Sequence, residues 1–112
     1  QLMERALHAV SKSALPRLNA FRSMELNNLA YAFARLGRTE SNDLYAGIAK
    51  EFARPKRVVT GQDIGTTLWS FSLVEYFDKD AYRLIASRVN VDDAQNYSPT
   101  ELANSVYALA SA

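Results

Sequence analysis

The chain repeats one helical phrase: residues 25–34 read ELNNLAYAFA, residues 63–72 read DIGTTLWSFS and residues 101–110 read ELANSVYALA. Each copy begins 38 residues after the one before it. A fixed period of about 20–50 residues is typical of stacked arrays, in which each unit buries its apolar face against its neighbours. The spacing therefore predicts an all-α fold, an α-solenoid of antiparallel helix pairs with a 38-residue repeat.

Apolar residues three and four positions apart predict two helices in each repeat, because that spacing places them on one helix face. The first helix of each pair contains the repeated phrase, and the second helices are expected at 43–53 and 79–89. An earlier second helix is expected at 2–14, and Gly37 supplies a C-terminal stop. The predicted inward residues are Leu26, Leu29, Ala30, Phe33, Leu36, Leu44, Ile48, Ala49, Phe52, Ile64, Leu68, Phe71, Val74, Ala81, Ile85, Ala86 and Val89.

These helices make the chain a single helical-repeat segment with four parts. Residues 1–24 hold the second helix of a preceding repeat, 25–62 form repeat 1, 63–100 form repeat 2, and 101–112 begin repeat 3. The unpaired helices at both ends would leave apolar faces open to water. We therefore expect a fragment of a longer array, with flanking repeats or neighbouring protein subunits covering its ends.

Helix-start signals precede the repeated phrase. Ser98 and Glu101 are spaced as a capping box, and Thr60 and Asp63 form a weaker version of the same device. The first repeat lacks a hydroxyl at the aligned position. Either Ser23 caps the helix one residue later, or this turn is held less tightly.

Several classes of function lack their residues in this sequence. With no cysteine there is no disulfide, thiolate metal site or cysteine nucleophile. His8 is the only histidine and has no cysteine or fixed carboxylate partner. No apolar run approaches the roughly 18 residues of a membrane span. We expect no enzyme activity, no cofactor, no metal, no small-molecule substrate and no membrane partner.

The formal net charge of +1 conceals an asymmetry. Residues 1–57 hold ten Lys or Arg against five Asp or Glu, whereas residues 58–112 hold three against seven. A polyanion is therefore expected to favour the first part of the chain. The acidic second part favours protein contacts locally, because it would repel a phosphate backbone.

The densest basic stretch is 54–57, three cations in four residues of an inter-helix loop, near Arg35, Arg38 or Lys50 if the repeats stack regularly. Such cations give sequence-independent, salt-dependent affinity for phosphates, although a basic loop can also be only a solvated turn. On the first helix Asn28 and Tyr31 face away from the apolar stripe and offer hydrogen bonding and stacking, unless they bridge neighbouring repeats instead. The candidate RNA-binding residues are Asn28, Tyr31, Arg35, Arg38, Lys50, Arg54, Lys56 and Arg57.

The segments 27–37 and 97–104 carry a family resemblance. Their pattern of Glu-Leu-Ala-Asn with Tyr-Ala-Phe-Ala, an aromatic Ser-Pro start and the 38-residue period resembles the octotricopeptide and heptatricopeptide repeat proteins of protist and algal organelles. The resemblance implies helical-hairpin solenoids that bind organellar RNA, in some organelles as parts of the mitochondrial ribosome. Some relatives end in an RNA-binding module of the RAP type, which these residues do not contain.

Two hypotheses of function follow. In the first, the chain is an organellar RNA-binding solenoid, a structural component that contacts ribosomal or messenger RNA in a large ribonucleoprotein such as the mitochondrial ribosome. In the second, it is a protein-interaction scaffold of a large organellar complex without direct RNA contact. The expected location is the mitochondrion, with the plastid as the alternative.

Overall fold

The fold is all-helical across the residues that the computed structural model describes, which are 2–37, 41–88 and 98–100 with positions 103, 106 and 110. Within these ranges there is no strand, which confirms the predicted all-α class. The helices lie close to their predicted places, although α5 ends at Ala86 and residues 87 and 88, predicted as helix, form a turn. They are α1 (Leu2–Ala14), a 3-10 helix (Leu15–Ala20), α2 (Ser23–Arg35), α3 (Asn42–Phe52), α4 (Gly61–Leu73) and α5 (Lys79–Ala86).

Pro16 explains why α1 gives way to a tighter helix. Proline lacks a backbone N–H and its ring disfavours the α conformation of the residue before it. The α-helix accordingly ends at Ala14, and the chain continues as the 3-10 helix with Pro16 in its first turn. At Phe21 the backbone becomes extended, which leads into α2.

The helices form two consecutive pairs, α2 with α3 and α4 with α5. Helices in equivalent positions of the two pairs pack side by side. α2 lies along α4, and α3 lies along α5 and the 3-10 helix. Gly47 in α3 allows one of these approaches, since a Cβ there would stand 2.7 Å from Leu18 Cδ1 of the 3-10 helix. α2 and α3 therefore find their main partners in the other pair, whereas α1 packs mainly on the 3-10 helix that follows it.

The core contains most of the predicted inward residues and a cluster of four aromatic rings. Phe71 is fully buried, with its ring centroid 5.5 Å from that of Tyr45, 5.1 Å from Tyr76 and 6.0 Å from Tyr82. Leu36 was wrongly predicted as inward: it is 49% exposed at the C-terminal cap of α2, whereas Val74, at the same position of α4, is buried, so burial at this position depends on what packs over the helix end. Leu29 and Ala86 are partly buried, and Val89 lies outside the described residues.

The predicted capping at Thr60 is confirmed. Its Oγ1 accepts a hydrogen bond from the N–H of Asp63, whose carboxylate accepts one from the N–H of Thr60, each at 3.1 Å. Capping by Ser23 is wrong, because its hydroxyl instead donates to the carbonyl oxygen of Val58 at 2.7 Å. The predicted box at Ser98 includes Glu101, which lies outside the described residues.

Gly37 and Glu75 end the first helices of the two pairs in the same left-handed conformation. Gly37 has φ 69° and Glu75, 38 positions later, has φ 56°. At the second site the N–H of Tyr76 donates to the carbonyl oxygen of Phe71 at 2.8 Å, the long bond of a Schellman motif. Glycine adopts this conformation without the steric penalty that a Cβ brings.

We therefore expect Glu75→Gly to raise the free energy of unfolding by about 1 kcal/mol, since it relieves that steric penalty. Urea denaturation at equilibrium measures the change. Glu75→Ala is the matched control, because it removes the same charge but keeps the Cβ. An equal gain in both variants would contradict the conformational explanation.

Candidate nucleic-acid interface

An open groove of about 550 Å³ lies at the end of the molecule where α2 and α4 begin. One wall is the connection that follows α1, including Asn19 and Phe21, and the other is the loop between α3 and α4. Four cationic residues of these two segments line it: Arg22, Arg54, Lys56 and Arg57.

Hydrogen bonds between the two walls hold the groove in shape. The guanidinium of Arg57 donates to the carbonyl oxygen of Phe21 at 2.7 Å, and the Ser23 hydroxyl donates to that of Val58. The start of α2, where the aligned capping hydroxyl is missing, is thus held by the loop between α3 and α4. Glu25 adds a local bond, its carboxylate accepting from the N–H of Arg22 at 2.8 Å.

Two arginines share the buried carboxylate of Glu51 but differ in their access to solvent. Arg57 and Arg54 each place a guanidinium nitrogen 2.9 Å from Glu51 Oε1. The side chain of Arg57 is only 11% exposed, whereas that of Arg54 is 62% exposed. Arg57 is therefore a structural cation, and Arg54 can also meet a ligand.

Arg88, which follows α5, binds the same loop between α3 and α4. Its guanidinium donates to the carbonyl oxygens of Phe52, at 3.2 Å, and of Arg54 and Arg57. Arg57 to Phe21 and Arg88 to Phe52 both join residues 36 positions apart. In each case an arginine that follows one helix pair donates to a carbonyl at the end of the last helix before that pair. For Arg57 this is the 3-10 helix, and for Arg88 it is α3; the dipole of a helix favours a cation at this end.

Cations outnumber the acidic residue that lines the groove. Asp63 lines the groove but is buried, and its carboxylate accepts the N–H of Thr60 in the helix cap. The exposed cations of the groove are Arg22, Arg54 and Lys56; the exposed carboxylate of Glu25 lies beside Arg22, and Arg54 is paired with Glu51. A site of this kind attracts an anion from solution.

The structure brings some of the candidate RNA-binding residues together and separates others. Arg54, Lys56 and Arg57 line the groove, and Lys50 is exposed in the last turn of α3 just before it. Arg35 stands at the far end of α2, about 18 Å along the axis of this 13-residue helix from its start. Arg38 lies outside the described residues.

Asn28 and Tyr31 are exposed on α2, as the sequence predicted for a face turned away from the core. Their equivalents on α4, Thr66 and Trp69, are partly buried. These positions do not line the groove. They form a separate surface on the paired first helices.

Other kinds of site find little support in the described part of the chain. Among those residues no group of three or more His, Cys, Asp or Glu could hold a metal ion.

Burial raises the pKa of Tyr76, with the nearby Asp78 as a smaller cause, and burial likewise raises the pKa of Tyr82, so both phenols stay neutral in the core. No helix within the described ranges is long and apolar enough to cross a membrane.

Comparison with known proteins gives no relative from which to transfer a function. No protein-family model, no curated protein and no solved structure matches the chain.

Proposed function

We propose that this chain binds RNA, with the groove at the start of α2 and α4 holding the phosphate backbone. The observation that carries the proposal is the set of exposed cations Arg22, Arg54 and Lys56 around one open groove whose walls are joined by hydrogen bonds. Cations on a preorganised frame bind phosphates without having to order a loop first.

The finer parts of the proposal rest on the sequence pattern. The packing of α2 on α4 and of α3 on α5 supports an α-solenoid with a 38-residue repeat. The resemblance to octotricopeptide and heptatricopeptide repeat proteins supports a location in the mitochondrion, or else in the plastid, and a structural place in a ribonucleoprotein such as the mitochondrial ribosome. Ribosomal or messenger RNA would then be the ligand.

The triple variant Arg22→Ala, Arg54→Ala, Lys56→Ala tests the proposal. We expect it to weaken binding to RNAs of different sequence by a similar factor, because phosphate contacts carry no sequence information. The slope of log affinity against log salt should become shallower by about 2, given about 0.7 for each phosphate contact to a single strand. Fluorescence anisotropy over a range of salt concentrations measures both quantities.

The matched control is Arg5→Ala, Lys79→Ala, Arg83→Ala, which removes three exposed cations away from the groove and gives the same net charge. Arg57 is left intact because its loss would disturb the fold. If the two triple variants lost affinity equally, the groove would have no special part in RNA binding.

A second function, a protein-interaction scaffold, is favoured by the apolar residues at both ends of the described helices. On α1 only Ala14 is buried, while Leu2, Met3 and Val10 are exposed. At the other end Leu84 of α5 is 38% exposed. Such faces are typical of contact surfaces. Crosslinking in the native extract, described in the Discussion, separates this function from the first.

A further inference from the structure

We infer that the groove accepts an unpaired nucleotide, so that the chain prefers single-stranded RNA to duplex RNA; this inference rests on the proposed RNA-binding function. The base would lie against the apolar side chains of Phe21, Met24 and Val58. Its flanking phosphates would meet Arg54 and Lys56 at the rim.

The apolar lining is the first observation that distinguishes this groove from a simple phosphate site. Val58 is 83% exposed and Met24 is 58% exposed, although both lie beside cationic side chains. A phosphate-binding surface gains nothing from exposed apolar groups. A base face does, because contact with apolar side chains removes its flat surface from water.

The apolar lining favours a single strand of RNA over a duplex. A duplex of RNA presents phosphates and 2′-hydroxyls on its outside and keeps its base faces stacked inside. It could contact Arg54 and Lys56 but could offer no base face to Met24 or Val58. A single strand can turn a base into the groove while its backbone follows the cations.

Size and rigidity fit a single nucleotide. The volume of about 550 Å³ falls in the range of about 300–1,000 Å³ found for small-molecule sites. The Ser23 bond to Val58 and the Arg57 bond to Phe21 fix the two apolar walls relative to each other. A base therefore enters a site that is already formed, at a low cost in ordering.

Polar side chains of the groove are available for the edge of the base. Asn19 is exposed and lines the groove, and its amide can both donate and accept hydrogen bonds. The hydroxyl of Thr60 accepts from Asp63 and can still donate its own proton. These two groups do not select one base by themselves, so a weak sequence preference is expected.

The test uses the double variant Met24→Ser, Val58→Ser, which changes two exposed residues and leaves every cation in place. One RNA strand of mixed sequence is measured alone and after annealing to its complement, by fluorescence anisotropy. We expect the double variant to lose about fivefold in affinity for the single strand, about 1 kcal/mol, and nothing for the duplex. Leu73→Ser, Leu84→Ser, two exposed apolar residues elsewhere, is the matched control and should bind both RNAs as the parent does.

The outcomes distinguish failure of the single-strand inference from failure of the proposed RNA-binding function. If the double variant binds both RNAs as the parent does while the Arg22, Arg54, Lys56 triple variant loses RNA, the inference is overturned and the proposed function stands. Equal losses for single strand and duplex also overturn the inference. If neither variant loses affinity, the proposed function itself fails, and the inference fails with it.

Discussion

Replacing Arg57 with methionine is expected to lower the free energy of unfolding by about 3 kcal/mol, at the lower end of the cost of breaking a buried ion pair. The substitution leaves Glu51 buried and partly unpaired, and it removes the donor to the carbonyl oxygen of Phe21. The loss stays near the lower limit because Arg54 still reaches the same carboxylate. Urea denaturation followed by circular dichroism gives the free energy.

Arg54→Met is the internal control for this prediction. Arg54 pairs with the same carboxylate at the same distance but is largely exposed, so its loss should cost less than about 1 kcal/mol. In the background of Glu51→Gln the cost of Arg57→Met should fall, because the buried charge that needs Arg57 is gone. If Arg54→Met destabilised the protein as much as Arg57→Met, the assignment of Arg57 as the structural cation would be wrong.

The second large effect is expected at Phe71, at the centre of the aromatic cluster. Phe71→Ala should cost about 3–5 kcal/mol, because the side chain is fully buried and its removal leaves a cavity between Tyr45, Tyr76 and Tyr82. Such a loss is a large share of the about 5–15 kcal/mol that stabilises an ordinary domain.

Phe71→Leu serves as the comparison, since it keeps most of the apolar volume and loses mainly the ring contacts. We expect it to cost clearly less than the alanine variant. Urea unfolding of both variants, with the slope of free energy against urea unchanged, would support the cavity explanation. A loss below about 1 kcal/mol for Phe71→Ala would contradict the burial of this ring.

The periodicity of the sequence was sufficient to predict the helices and most of the core. Leu44, Ile48, Phe52 and Ile64 are fully buried as the 3.6-residue spacing required, because a helix places such residues on one side whatever its neighbours are. Leu36 is the exception. It continues the spacing at the C-terminal cap of α2 and is exposed, whereas Val74 at the same position of α4 is buried, because burial at a helix end depends on what packs over it and not on the spacing alone.

The site was predicted only in part, because a count of charged residues does not show which of them are bound to other groups of the folded chain. Arg54, Lys56 and Arg57 look alike in the sequence, yet Arg57 is bound to Glu51 and Phe21. Arg22 was missed, since no charge run marks it. Its place in the groove depends on the packing of α2 against α4.

Arg88 shows a further limit of sequence analysis. It carries no motif, and its bonds go to the backbone carbonyls of Phe52, Arg54 and Arg57, which any sequence would provide. The only available signal was its position after the second helix of its pair, where the last carbonyls of a neighbouring helix need donors. The arginines that join the helix pairs therefore also fix the wall of the groove, and stability and RNA binding are expected to depend on one another there.

The most direct test of RNA binding by the groove is ultraviolet crosslinking of the protein in its native extract, with mass-spectrometric mapping of the adducts. Our account predicts adducts on peptides that contain residues 19–24 and 54–60, the two walls of the groove. Absence of adducts there, with the protein still sedimenting in a large complex, would contradict RNA contact by this segment and leave the protein scaffold as its function.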